Sequence, residues 1–279
     1  MHDFAIPGPM TDAASLAGLP ADVSALAAIG HGLLLHEHWA AAYGVTFDDE
    51  ARMTVHLRSV DRILERVLAI SPAPLTVARP PADRVAANCR HFTVLMVSAL
   101  RAHRVPARAR CGFGGYFTPG FFEDHWVCEY WTGDRWRLVD GQLDAVQRTA
   151  LAIDFDVTDV PRDRFLVAGD AWLRWRAGAA AETDFGLSVT GESGAWWIAG
   201  NLMRDAAALL RIELLPWDEW GVMPAAGSAI AREPAELFDR LAAATVEPDA
   251  ARVAEVMAEP GLRVPPMVRN GPLGREEVV

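Results

Sequence analysis

Cys89, His125 and Asp140 are the side chains whose types and spacing could carry chemistry together. Cys89 stands in the stretch Asn88-Cys89-Arg90-His91, just ahead of an apolar run in which only Thr93 and Ser98 are polar between Phe92 and Leu100. That run predicts a helix meant for burial, and a structural cysteine would sit inside it rather than at its mouth. A thiol at a helix start meets the positive end of the dipole, which favours the thiolate. The unpaired N–H groups of the same turn are placed to hold an oxyanion.

His125 and Asp140 lie in EDHWVCEYW and RWRLVDGQL, two strand-like segments joined through Thr132-Gly133-Asp134, a hairpin signal. An even-length loop places both residues on one face. A two-residue turn at Gly133–Asp134 opposes Asp140 to Val127, with His125 as the diagonal neighbour. A four-residue loop opposes His125 to Asp140 directly. In either register the Cβ atoms fall within about 8 Å, whereas an odd-length or bulged turn separates them. A carboxylate behind an imidazole fixes its tautomer, and the imidazole in turn serves a cysteine. Cysteine, histidine and aspartate in this order make an acyl-transfer triad.

The elements around these residues follow from periodicity. Residues 10–70 read as helical, with Asp48, Asp49 and Glu50 at the start of a second helix. A proline-rich connection, 71–84, leads to the helix of Cys89, which should stop near His103 because Pro106 disfavours helical geometry before it. Residues 107–113 alternate as a strand, and GFGGYFTPGFF reads as a glycine- and aromatic-rich loop of the kind that edges a pocket. Beyond residue 150 the chain reads as mostly helical, ending in an irregular proline-rich tail of about fifteen residues.

NCRHFTVLMVSALRAHRVPARARCGF, followed by DHWVCEYW and RWRLVDGQLD, resembles the core of the transglutaminase-like superfamily, a papain-like fold. In that family a nucleophilic cysteine opens a buried helix, a histidine followed by an aromatic starts a strand, and an aspartate ends the next strand. Carried over residue by residue, the resemblance places the triad on Cys89, His125 and Asp140. It covers about residues 83–145. His103-Arg104 stands where the family often has a glycine, and Gly141 replaces a proline often seen after the aspartate. The resemblance implies a single α+β domain: an N-terminal helical part (1–82), a catalytic core (83–148) and a mainly helical C-terminal part (149–279). It admits peptidases, deamidating enzymes, cross-linkers and amide-forming enzymes. The expected activity is transfer or hydrolysis at an amide or thioester of a small, peptide or carrier-bound substrate, and such a mechanism requires no metal or organic cofactor.

Composition narrows the field. The net charge of -11 argues against a nucleic-acid or anionic-membrane partner. All 26 basic residues are arginine, which excludes Schiff-base, pyridoxal-phosphate and Ser-Lys chemistry on this chain. Three cysteines without framework spacing, no secretory signal pattern and no apolar run near the roughly 18 residues of a membrane span lead to the expectation of a cytoplasmic protein.

Several residues carry two readings. Arg90 is a solvated helix-start residue or a clamp for a substrate carboxylate. Trp126, Tyr116 and Phe117 line an acyl pocket or form aromatic core. His31, His36, Glu37 and His38 invite a metal reading, but on one helix His36 and His38 would point to different sides, and no further ligand joins His31 and His38. His91 lies roughly 200° around the helix from Cys89 and should not serve as its base. Cys111 and Cys128 read as buried structural thiols, and Trp217 and Trp220 as packed in a turn. The rival to catalysis is a scaffold whose tryptophan-rich C-terminal half binds a partner or a second copy.

Overall fold

The computed structural model describes residues 2–279. In chain order the helices are α1 (Val23–Leu33), α2 (Asp49–Arg52), α3 (Val60–Ile70), α4 (Cys89–Ala102), α5 (Ala145–Ala150), α6 (Ala168–Arg176), α7 (Ala195–Leu209), α8 (Arg232–Val246) and α9 (Ala250–Met257). The strands are β1 (Leu34–His36), β2 (Val85–Ala87), β3 (Ala107–Thr118), β4 (Phe121–Trp131), β5 (Trp136–Val139), β6 (Phe165–Val167), β7 (Phe185–Leu187), β8 (Glu192–Ser193), β9 (Asp218–Glu219), β10 (Met267–Asn270) and β11 (Arg275–Val278). This mixture of helix and sheet is the α+β class expected. The chain divides into two compact units, one of residues 1–109 and 127–160, the other of 110–126 and 161–279. Among the described residues no helix is long and apolar enough to cross a membrane.

In the first unit α4 is the centre. Every residue from Cys89 to Arg101 is buried, and the apolar side chains Val94, Leu95, Val97 and Leu100 meet a core that includes Leu16, Leu33, Ile63 and Val67. Each such side chain contributes about 1.5–3 kcal/mol on leaving water. Its polar members are tied to the surrounding chain. Ser98 donates to the Thr11 carbonyl at 2.6 Å, and Arg101 donates to the carbonyls of Phe4 and Ala107 and to the Thr11 hydroxyl. Helix α4 ends at Ala102 with His103 as its cap, as the downstream proline predicts. The Arg108–Glu129 ion pair, 2.5 Å, is buried, and the guanidinium also lies 3.9 Å over the Trp136 ring.

The long N-terminal helix of the sequence reading breaks up. Leu34–His36 is a strand, β1, pairing parallel with β2 from Leu34↔Val85 to His36↔Ala87. Leu34 and Leu35 are buried together, which a ladder achieves on both faces and an amphipathic helix does not. Asp48 does cap α2, accepting the Ala51 N–H at 2.7 Å, and Ser59 caps α3. The proline-rich connection is ordered by one residue, Arg79, whose guanidinium donates to the carbonyls of Ser71, Ala73, Pro74 and Val77.

In the second unit the strands lie in the order β6-β3-β4-β7-β8. The loop expected at 112–122 is strand instead, turning only around Pro119–Gly120. Glycine is what permits this: a Cβ at Gly112 would stand 2.1 Å from the Leu166 carbonyl oxygen of the paired β6. Phe165–Val167, also read as helical, is that partner strand. Helices α6, α7 and α8 pack as a layer of their own, with Trp172 edge-on to Phe238 and its indole N–H donated to Asp239 at 2.7 Å. The end of the chain is no irregular tail: β10 pairs with β11 and with β9. Trp220 is buried and donates to the Leu262 carbonyl at 2.9 Å, in line with the packed turn foreseen there.

Candidate active site

Cys89 is the first residue of α4 and is 7% exposed, while Cys111 and Cys128 are fully enclosed. Burial pushes the Cys128 thiol upward, away from the thiolate. The chain reaches Cys89 straight from β2, so the ladder with β1 fixes the entry to the helix. Thr93, one turn on, donates its hydroxyl to the Cys89 carbonyl at 3.1 Å. Among the described residues no hydrogen bond involves the Cys89 sulfur.

The two residues after Cys89 are committed to the fold. Arg90 is fully buried and donates to the carbonyls of Arg58, 2.7 Å, and Leu57, 3.5 Å. Neither a solvated guanidinium nor a clamp for a substrate carboxylate fits this environment. His91 is buried too, with Nε2 3.3 Å from the Thr54 carbonyl. A carbonyl only accepts, so Nε2 carries the proton. Burial, aided by the Arg90 charge, drives the ring's pKa down to about 3 and keeps it neutral, which leaves Nδ1 as an acceptor. The Asn88 side-chain group 2.9 Å from Nδ1 is therefore its amide NH2, which would otherwise lack a partner. His91 is thus a strut between the helix start and Thr54, consistent with its exclusion as a base.

Asp140 follows β5 and is 1% exposed. Its N–H donates to the Val157 carbonyl at 2.8 Å, and its Oδ1 accepts the Gln142 N–H at 3.0 Å. The β4–β5 ladder runs antiparallel from Cys128↔Val139 to Trp131↔Trp136, and the Thr132 N–H bonds the Arg135 carbonyl at 3.0 Å. This is the two-residue alternative of the sequence reading, with Gly133 and Asp134 as the turn.

His125 lies on β4 in the second unit, two residues before Val127 along the strand. It is 2% exposed and ringed by aromatics: Phe117 at 4.8 Å between centroids, Tyr116 at 6.0 Å and Phe165 at 6.2 Å. Tyr116 and Phe117 thus pack against the candidate base, and they come from the strand that had been taken for a loop. Trp126 does not. Alternation turns it to the face opposite His125, where it is 1% exposed and its indole N–H is unpaired. It cannot share a pocket wall with the His125 ring.

The histidine-rich segment also departs from expectation. Because Leu34–His36 is strand rather than helix, His36 and His38 do not diverge: their rings lie 5.4 Å apart, and the His38 N–H donates to His36 Nδ1 at 3.2 Å. Among the described residues no three His, Cys, Asp or Glu side chains gather as metal ligands do. Three polar residues joined by hydrogen bonds to the Asp140 turn were missed altogether: Tyr43, Gln142 and Gln147. Gln142 and Gln147 stand in a short stretch with no period to read.

No curated protein and no solved structure matches the chain. A family model does match part of it, and that part contains Cys89, His125 and Asp140: residues 73–141 match the Transglutaminase-like superfamily, the family their motifs resemble.

Proposed function

We propose that the protein is a cysteine acyltransferase or amide hydrolase of transglutaminase-like chemistry. The observation that carries this is the position of Cys89, first residue of a helix buried from Cys89 to Arg101 within the matched segment, with its sulfur in no described hydrogen bond. In this reading His125 takes the Cys89 proton and the sulfur adds to the carbonyl carbon of an amide or thioester. The Cys89 N–H, at the positive end of α4, steadies the oxyanion. The C–N or C–S bond then breaks, the imidazolium protonates the leaving group, and an acyl-thioester remains on Cys89. Water or an amine attacks that thioester and gives its proton to His125, the C–S bond breaks to release the acid or amide, and the proton returns to the Cys89 sulfur. Asp140 orients the imidazole and balances its charge. The aromatic rings of Tyr116 and Phe117 exclude water around His125, which strengthens each of these interactions.

The β4–β5 register supports the assignment of Asp140, since a two-residue turn is one of the two loops that set His125 and Asp140 on the same face. The substrate is small, peptide-like or carrier-bound, with no call on nucleic acid or membrane at a net charge of -11.

Peptide mass spectrometry after timed alkylation of the three thiols over a range of pH tests this reading, with Cys111 and Cys128 as internal controls. Cys89 should react fastest, well below the pH at which an ordinary thiol does, and His125→Ala should abolish the advantage. An intact-mass increase with activated acyl donors, lost in Cys89→Ala, should accompany it. Equal reactivity of the three thiols, with no acyl adduct, would return the protein to the scaffold reading and direct attention to a binding partner or second copy.

A further inference from the structure

We infer that Gln142 is a positioning residue for Asp140, held to that task by a directed chain of hydrogen bonds through Gln147 and Tyr43. The inference rests on the proposed role of Asp140 as the carboxylate behind the imidazole.

The Asp140 carboxylate is aimed by a neighbour two residues on, since its Oδ1 accepts the Gln142 backbone N–H at 3.0 Å. Where that N–H sits depends on where the Gln142 side chain is tied. Gln142 is 2% exposed, and its Nε2 donates to Gln147 Oε1 at 3.0 Å. Gln147, also 2% exposed, donates through its own Nε2 to the Tyr43 hydroxyl at 3.5 Å. Asp144 fixes the start of α5, and with it Gln147, by accepting the backbone N–H groups of Val146, 3.0 Å, and Gln147, 3.1 Å. The donors point one way, from Gln142 to Gln147 to Tyr43, so each bond polarises the next.

The other side of the same turn is fixed by packing. Gly141 lies against α4 so closely that a Cβ there would stand 2.9 Å from Met96 Cγ. Residues 140–142 are therefore held between α4 and α5. A carboxylate gripped this way cannot swing, and an imidazole oriented by it keeps one tautomer.

The test is the pH–rate profile for alkylation of Cys89 by iodoacetamide, with the denaturation midpoint of each variant measured alongside. Gln142→Met keeps the side-chain volume and removes the hydrogen bond. It should slow Cys89 alkylation near pH 6 on the order of 10- to 100-fold, the scale of a misplaced catalytic group. The profile should move in the same direction as in Asp140→Asn. Tyr43→Phe, which deletes one hydroxyl at the far end of the chain, should produce a smaller shift of the same sign; it decides the matter if Gln142→Met fails to fold. A wild-type profile in Gln142→Met and Tyr43→Phe, with Asp140→Asn shifted, overturns the positioning role alone. A wild-type profile in Asp140→Asn overturns the triad reading and the positioning role with it.

Discussion

Helices α4 and α7 are buried along nearly their whole lengths, but they spend their polar groups differently. In α7 the polar residues sit mid-helix and are committed to partners. Asp205 receives a bidentate bond from Arg110, at 2.9 and 2.8 Å, and the Cys111 N–H at 2.9 Å. Asn201 donates to the Gly112 carbonyl and to Asp124, and Arg204 donates to the Asp218 carbonyl. In α4 the side chains of Thr93, Ser98 and Arg101 are likewise bonded to carbonyls, yet the helix opens on a sulfur that no described hydrogen bond engages. A buried polar group with every partner in place is architecture. A nearly buried thiol with none, at the positive end of a helix, is the group that the proposed function sets to react.

The largest effect that would test this contrast is on stability in α7. Asp205→Ala leaves the fully enclosed Arg110 charge without its carboxylate and should cost about 3–5 kcal/mol, read from the denaturation midpoint. A shift of under 1 kcal/mol would mean that α7 is no more committed to architecture than the mouth of α4.

The two regions should also respond to acid with opposite signs. His91 has its folded pKa lowered by burial, so below its unfolded value of 6.5 the unfolded chain takes up a proton that the folded chain refuses. Stability should therefore fall with decreasing pH, by about 1.4 kcal/mol per pH unit from this residue, until the pH nears 3. Asp124 is raised by burial, against the pull of Arg204 and Asn201. Its unfolded form ionises first, so it withdraws stability as pH rises above 3.8 and returns it on acidification. His91→Gln should flatten the acid limb of stability against pH, and Asp124→Asn should steepen it. Parallel changes in the two variants would break the comparison.

The smallest stability effect belongs to Cys89 itself. Cys89→Ala should move stability by about 1 kcal/mol or less, as expected where a side chain anchors nothing, while removing all alkylation and acylation at that peptide. A loss as large as that of Asp205→Ala would make Cys89 structural.

The sequence exposed the parts of the molecule whose signals are local. The apolar run after Cys89, the proline that ends its helix, and the Thr132–Arg135 turn were all readable, because period and turn chemistry decide them. Leu34–His36 was not, since a three-residue parallel strand is set by a partner fifty residues away rather than by its own pattern. The same holds for 112–118, where glycines suggest a loop until the backbone of β6 is seen occupying the space a Cβ would need. Arg90 was misjudged because nothing in its neighbours reveals that two carbonyls from 57–58 await it. The aromatic setting of His125 was half visible: Tyr116 and Phe117 were named, but Phe165 arrives from a strand that read as helix.

Arg79, with its guanidinium spread over four carbonyls, bears on how this chain tolerates heat. One side chain substitutes for a strand partner along 71–77, so that stretch has no ladder that could fray gradually. Its amides should exchange with solvent together in a single local opening, well before those of α4, whose enclosure ties them to global unfolding.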